Sequence, residues 1–250
     1  MKKYILFLVS VLTVQITLSQ HVKILYSLRY DLPDAQYRKY MTKNAIEQLK
    51  KKQYYYLIKN NESSLFFPNE KPKEFVDRDT TYISNTKREI KEVVIKNDLV
   101  DIYYINYPKR YYIRKLKTRG KVYDIKDSLP DLQWTILPET KKLNKYTLQK
   151  AQAKYKGTTV TAWFSEDIPV AIGPKIFIGL PGLIMELKMN KLNYKVEKID
   201  FVNNLPAIRP PEPDAEYIDS KTYDEKVLKK IPRGFHKLEK KCSNCPKHEK

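Results

Sequence analysis

Histidine is scarce in this 250-residue chain: there are three, His21, His236 and His248, and all lie outside the predicted β core. A Ser/His/Asp or Cys/His arrangement therefore cannot be assembled there. Cysteine is scarcer still, with Cys242 and Cys245 close to the C-terminus, although a chain of this length can bury a core without disulfide stapling. Six glycines leave no phosphate-cradling loop and no dinucleotide fingerprint, and no helical His-Glu motif occurs. No cofactor is expected. Beyond the first residues there is no apolar run of the roughly 18 needed for a membrane-spanning helix. Arginine is also sparse, contributing 9 of the 48 basic side chains, whereas phosphate and base recognition favours the planar guanidinium fork.

What is present begins with a leader. Lys2 and Lys3 are followed by the apolar stretch Tyr4 to Val14, too short to span a bilayer. Thr17 and Ser19 then sit at the spacing of a cleavage site. Residues 1–19 are expected to be a secretory signal peptide, cut before Gln20, and the mature protein is expected to be periplasmic or secreted. The formal charge of +19 falls by the two leader lysines to +17. Such a balance raises polyanions or an anionic membrane surface as partners. Export, the low arginine share and the even spread of the lysines argue instead for a solvated lysine surface, and against nucleic acid.

Segments rich in Tyr, Ile and Val recur between short polar breaks, over residues 22–28, 54–58, 89–95, 99–105, 110–116, 133–137, 158–164, 183–189 and 194–201. That spacing suits an antiparallel sheet. The clearest strand places Leu183, Met185, Leu187 and Met189 on one face and Ile184, Glu186, Lys188 and Asn190 on the other. Turns are predicted at Asn190–Asn193 and at Lys156-Gly157, making residues 133–201 a meander. The apolar phase switches between Tyr194/Val196 and Ile199/Phe201, which predicts a bulge near Lys198.

Two segments read as helices. After Asp31 and Asp34, apolar residues recur at helical spacing through Tyr37, Tyr40, Met41, Ala45 and Leu49, and Lys50–Lys52 close the last turn. This helix is expected to lie across the sheet. Pro206, Pro210, Pro211 and Pro213 mark the end of the β domain, 20–205, and the start of a basic tail, 206–250, with a helix from about Ala215 to Lys230.

The most distinctive stretch joins Trp163 to Ile184. Ile168-Pro169 and Gly173-Pro174 are extended or turning dipeptides, and Gly179, Pro181 and Gly182 permit a second sharp path. Ile172, Ile176, Phe177, Leu180 and Leu183 are the expected apolar anchors. Two readings stand: a structural connection crossing the sheet, or a rigid recognition surface with Trp163, Glu166, Asp167 and Phe177 at its rim.

The hexapeptide Gly179-Leu180-Pro181-Gly182-Leu183-Ile184 resembles the signature of the GLPGLI family of exported proteins from Bacteroidetes-type bacteria. Asp127-Ser128-Leu129-Pro130 with Trp134, Glu139-Thr140-Lys141-Lys142, Lys150-Ala151, Ala162-Trp163-Phe164, Asp167-Ile168-Pro169 and Gly173-Pro174 follow the order of that family. The resemblance covers roughly residues 22–205. It implies similarity to the bowl-like β domain that precedes the catalytic part of type II peptide N-glycosidases, and so a curved antiparallel sheet, bowl-like or half-barrel. Leu148 is a departure, standing where many members carry a cysteine.

Among carboxylates, Glu166 with Asp167 is the natural pair near the loop, but neighbours on an extended segment point to opposite faces, which does not suit an acid/base pair. In the tail, His236, Cys242, Cys245 and His248 form H-x5-C-x2-C-x2-H, a weak candidate for Zn or Cu(I). In an oxidising compartment the two cysteines are equally a disulfide, a redox pair or part of an unstructured end. The sequence thus leads to an exported, mainly β, non-enzymatic binding or accessory protein of the bacterial envelope, with an envelope protein, a peptide or a glycan as its partner. An enzyme or enzyme accessory acting on glycans or glycopeptides is the first alternative, and metal handling by the tail the second.

Overall fold

The computed structural model of the chain describes residues 21–31, 43–70, 73–82, 88–97, 100–118, 120–203 and 205–228. The leader, the first part of the expected N-terminal helix, and His236, Cys242, Cys245 and His248 lie outside the described residues. Thirteen strands are found among those described: β1 (His21–Tyr30), β2 (Gln53–Lys59), β3 (Ser63–Pro68), β4 (Lys73–Tyr82), β5 (Arg88–Asn97), β6 (Asp101–Asn106), β7 (Tyr111–Thr118), β8 (Lys121–Ser128), β9 (Thr135–Leu143), β10 (Tyr146–Tyr155), β11 (Thr158–Ser165), β12 (Leu183–Met189) and β13 (Leu192–Val202). Eleven form one antiparallel sheet in the order β8-β7-β6-β3-β2-β1-β13-β12-β11-β10-β9. The other two, β4 and β5, pair only with each other. β1 therefore lies inside the sheet and joins its two halves, pairing with β2 on one side and with β13 on the other.

The hairpins have physical causes that can be read in the residues. Met189 faces Leu192 across the two-residue turn Asn190-Lys191, and Asn190 takes a left-handed φ of 52°. Asparagine tolerates that region better than most side chains. Lys156-Gly157 makes the same reversal between β10 and β11. The bulge predicted near Lys198 is present: Leu25 faces Lys198 and Tyr26 faces Val196, so Glu197 is the extra residue of β13. The strict two-faced alternation expected of β12 fails at its start. Trp163 faces Glu186 but Phe164 faces Ile184, so Met185 is bulged and Ile184 is buried with Leu183 and Met185.

One face of the sheet carries the core. Tyr26, Phe66, Phe164 and Phe177 are its largest fully buried side chains. Tyr55 stacks on Phe66 at 4.9 Å, and Tyr194 meets both rings edge-on. Helix α1 (Lys43–Lys50) buries Ile46. The expected long C-terminal helix is reduced to α2 (Ser220–Tyr223) and one wide turn, Asp224–Leu228. Asp219 caps α2 by accepting from the Thr222 N–H at 2.7 Å.

The segment before α2 is not a free appendage. Asp124 of β8 accepts the N–H groups of Asp214 and Ala215 at 2.7 and 3.1 Å. Ile218 then bridges Ile125 in parallel, donating to the Asp124 carbonyl and accepting from the Lys126 N–H. Residues 214–218 thereby cover part of the outer edge of β8, which would otherwise offer unpaired backbone groups. Beyond them, Ser220 Oγ hydrogen-bonds the Tyr112 hydroxyl and Asp224 pairs with Lys156 at the β10–β11 turn. Two distant parts of the sheet are thus tied by one short segment.

Candidate functional site

The stretch between β11 and β12 folds onto the core. Ile168, Val170, Ile172, Ile176, Phe177 and Leu180 are all buried. The backbone is fixed by Leu183 N–H donating to Ile168 O at 3.0 Å and Ile184 N–H donating to Ile172 O at 2.9 Å. The Tyr26 hydroxyl reaches across to the Ile184 carbonyl at 2.7 Å. Gly182 is set by contact: a Cβ there would stand 2.0 Å from the Ser165 carbonyl oxygen. Gly179 is set by conformation, with φ at +97°, beside the Trp134 indole whose Nε1 donates to Ile178 O at 2.9 Å. Gly173 and Pro174 are buried, while Pro169 and Pro181 turn outward.

This placement corrects the rim reading for Phe177, which is 1% exposed and packs edge-on against Tyr155. An aromatic ring in a loop this rich in apolar anchors gains more from burial than from display. Glu166 and Asp167 are exposed. Asp167 Oδ2 accepts from the Thr147 N–H at 3.0 Å and lies 3.1 Å from Ser165 Oγ, which fastens the end of β11 to the start of β10. Leu148 is fully buried in the core.

A charged cluster that sequence reading missed holds this loop. Lys175 takes a left-handed φ of 59° and is 9% exposed. Its ammonium sits 2.9 Å from Asp101 Oδ2, while Arg114 Nε donates to Asp101 Oδ1 at 2.7 Å. Tyr103 lies against both cations, 5.3 Å from Lys175 Nζ and 5.0 Å from the Arg114 guanidinium, and Tyr194 is 5.8 Å from Lys175. Burial would raise the Asp101 carboxyl, but the charges and hydrogen bonds of Arg114 and Lys175 outweigh it and hold it down at about 2. Burial pushes the Tyr103 phenol up to about 12. Lys175 is held well above the usual lysine range, since Asp101 outweighs its desolvation. No group of this cluster exchanges a proton near neutrality. Its chemistry is that of a lock between the loop and strands β6 and β7. The sequence signal was a lone lysine inside an apolar run, Pro174-Lys175-Ile176-Phe177.

Trp163 lies elsewhere, on the face opposite the core. It stands on β11 between Lys150 of β10 and Glu186 of β12. Lys141 of β9 lies over the indole, with Nζ 4.3 Å from the ring centroid, and continues to a hydrogen bond with Glu186 Oε2. Lys150 Nζ is 6.0 Å from the same ring and 2.9 Å from Glu139. Beside the indole opens a groove of about 500 Å³ that runs across β11, β12, β13 and β1. Its charged walls are Arg29, Lys52, Lys188, Lys195, Glu186 and Glu197, and Ser27, Thr161 and Asn193 add neutral polar groups. Among the described residues no group of three His, Cys, Asp or Glu side chains is placed to hold a metal. Among them, too, no helix is long and apolar enough to cross a membrane.

A family model described as a protein of unknown function, Porph_ging, matches residues 152–186. These run from β10 through β11 and the glycine-proline loop into β12, and so include both Trp163 and Lys175. Solved structures of PNGF-II, in space groups C2 and P21, are similar in fold, each with a TM-score of 0.50 and 15% identity. The similarity covers 84% of this chain and 33% and 34% of those chains. The chain thus spans about a third of their length. No curated protein sequence matches it.

Proposed function

We propose that this chain is an exported binding or accessory protein of the bacterial envelope, of the GLPGLI type, whose ligand docks in the groove beside Trp163. The observation that carries the reading is the groove itself. It is a concavity of a size that suits a small ligand or a short stretch of polymer, with one large aromatic surface and convergent polar groups. The bowl-like curvature expected of the family belongs to the same reading, with the core inside it and the loop as its filling.

Geometry supports binding over catalysis. Glu166 and Asp167 lie away from the groove lining, and Asp167 is engaged in holding a turn. The two carboxylates that do line the groove, Glu186 and Glu197, are each paired with lysine. A screen of the purified protein against glycans and peptides tests the reading. Binding that disappears in Trp163→Ala supports it, and turnover of any ligand would replace it with an enzymatic one.

A further inference from the structure

We infer that the ligand of the Trp163 groove is an acidic glycan, a chain of sugar rings bearing sulfate or carboxylate groups. The inference rests on the groove being the binding site and adds the chemistry of what binds there. Three observations carry it.

The first is charge. Four cations and two carboxylates line the groove, with Lys141 and Lys150 over the indole at its end. Both carboxylates are already engaged. Glu186 holds Lys141 and, at 3.6 Å, Lys195, while Glu197 holds Lys52. Lys188 turns to Asp31, outside the lining. Arg29 is exposed and has no carboxylate partner among the described residues. An anion entering the groove meets Arg29, which has no carboxylate partner among the described residues, and Lys195, which shares Glu186 with Lys141, and it can take over Lys141 and Lys195 from Glu186 by direct exchange.

The second is the backbone. The strands beneath the groove, β11, β12, β13 and β1, are internal, each paired on both sides. Their N–H and C=O groups are committed to the sheet, so an extended peptide cannot be held by strand addition. Recognition must come from side chains standing on the face.

The third is shape. The other apolar residues that line the groove, Leu187 and Tyr194, are buried in the core at 1% and 2% exposure, so the Trp163 indole is the one apolar side chain the groove itself presents, with no row of pockets for peptide side chains. A pyranose ring offers one C–H face to stack on an indole and a rim of hydroxyls for groups such as Ser27, Thr161 and Asn193. Three strand spacings of about 4.8 Å give a length of roughly 14 Å, enough for two to three sugar residues.

The test uses three probes on the full mature chain: a sulfated hexasaccharide, the same hexasaccharide desulfated, and hexaglutamate. The sulfated probe is expected to bind, with about tenfold loss on desulfation and about tenfold loss in Arg29→Ala or Lys195→Ala. The double variant Lys109→Ala/Lys121→Ala, at exposed sites outside the groove lining, is expected to leave the affinity unchanged. Equal binding of the desulfated probe would overturn the acidic ligand and leave the groove reading standing. Equal binding of hexaglutamate would replace the glycan with an acidic peptide. Equal loss in the Lys109/Lys121 variant would reduce the interaction to diffuse attraction by a basic surface. No saccharide binding, with a Trp163 signal that no probe moves, would remove the groove reading as well.

Discussion

Lys175 and Asp101 are 74 residues apart in sequence, and their side chains meet at 2.9 Å at the edge of the core. That contact joins the loop ahead of β12 to the first residue of β6, and Arg114 completes it from β7. Removing one partner of such a pair leaves a buried charge uncompensated. Asp101→Ala is expected to destabilise the fold by about 3–5 kcal/mol, because two cations then lose their carboxylate. Lys175→Met, which leaves the Asp101–Arg114 pair in place, is expected to cost less. Urea unfolding midpoints of the two variants check the order.

The same cluster predicts an acid limit. The folded Asp101 carboxyl titrates at about 2, below its ordinary value of about 3.9. Its contribution is therefore complete above the ordinary carboxylate range and is lost as the pH falls through the folded value. Thermal unfolding between pH 5 and about pH 2 should show a steeper loss of stability in the parent than in Asp101→Asn, whose curve lacks this component. Parallel curves would show that Asp101 carries no differential proton binding.

Gly182→Ala is expected to destabilise by about 1–3 kcal/mol or more, since the new methyl meets the Ser165 carbonyl at 2.0 Å and backbone must move. Phe177→Ala should cost about 3–5 kcal/mol through the cavity it leaves. Trp163→Ala should cost less than either and abolish binding, because its indole sits on the polar face. Denaturation and binding measured on the same three proteins separate the core role of the loop from the recognition role of the groove.

Asp124→Ala should free the segment that guards the β8 edge. Two hydrogen bonds from Asp214 and Ala215 to a buried carboxylate are lost, each of a kind that contributes about 1.5–3 kcal/mol. Hydrogen exchange at Lys126 and Ile218, whose amides bond across this junction, should accelerate while β1 and β13 remain protected. Acceleration spread evenly over the sheet would mean that the segment is part of one cooperative unit with it.

Much of this architecture is legible in local residue patterns. The Tyr, Ile and Val segments become strands, Asn190-Lys191 and Lys156-Gly157 become two-residue turns, and the phase switch in β13 marks the bulge at Glu197. Strands β3, β4 and β8 escape that pattern. Ser63–Pro68 is short and begins with two serines, and Lys121–Ser128 is an edge strand with alternating charge, so neither shows a sustained period of two. The loop anchors are legible because they are apolar and closely spaced. Lys175 is not, because a lysine reads as solvated until Asp101 and Arg114 are brought to it by pairing elsewhere. The groove is invisible for the same reason: its walls run from Ser27 to Glu197 in the chain and become neighbours only through the β1–β13 pairing.

The chain's two tryptophans provide the most direct test of the account, since they stand on its two competing surfaces. Trp163 borders the groove, and Trp134 is hydrogen-bonded to Ile178 in the glycine-proline loop. Two-dimensional NMR of the indole N–H signals, recorded while the sulfated hexasaccharide is titrated in, reads both at once. The Trp163 resonance is expected to shift to saturation while Trp134 stays in place. A saturating shift of Trp134 with Trp163 unmoved would rule out the groove as the binding site and return recognition to the loop.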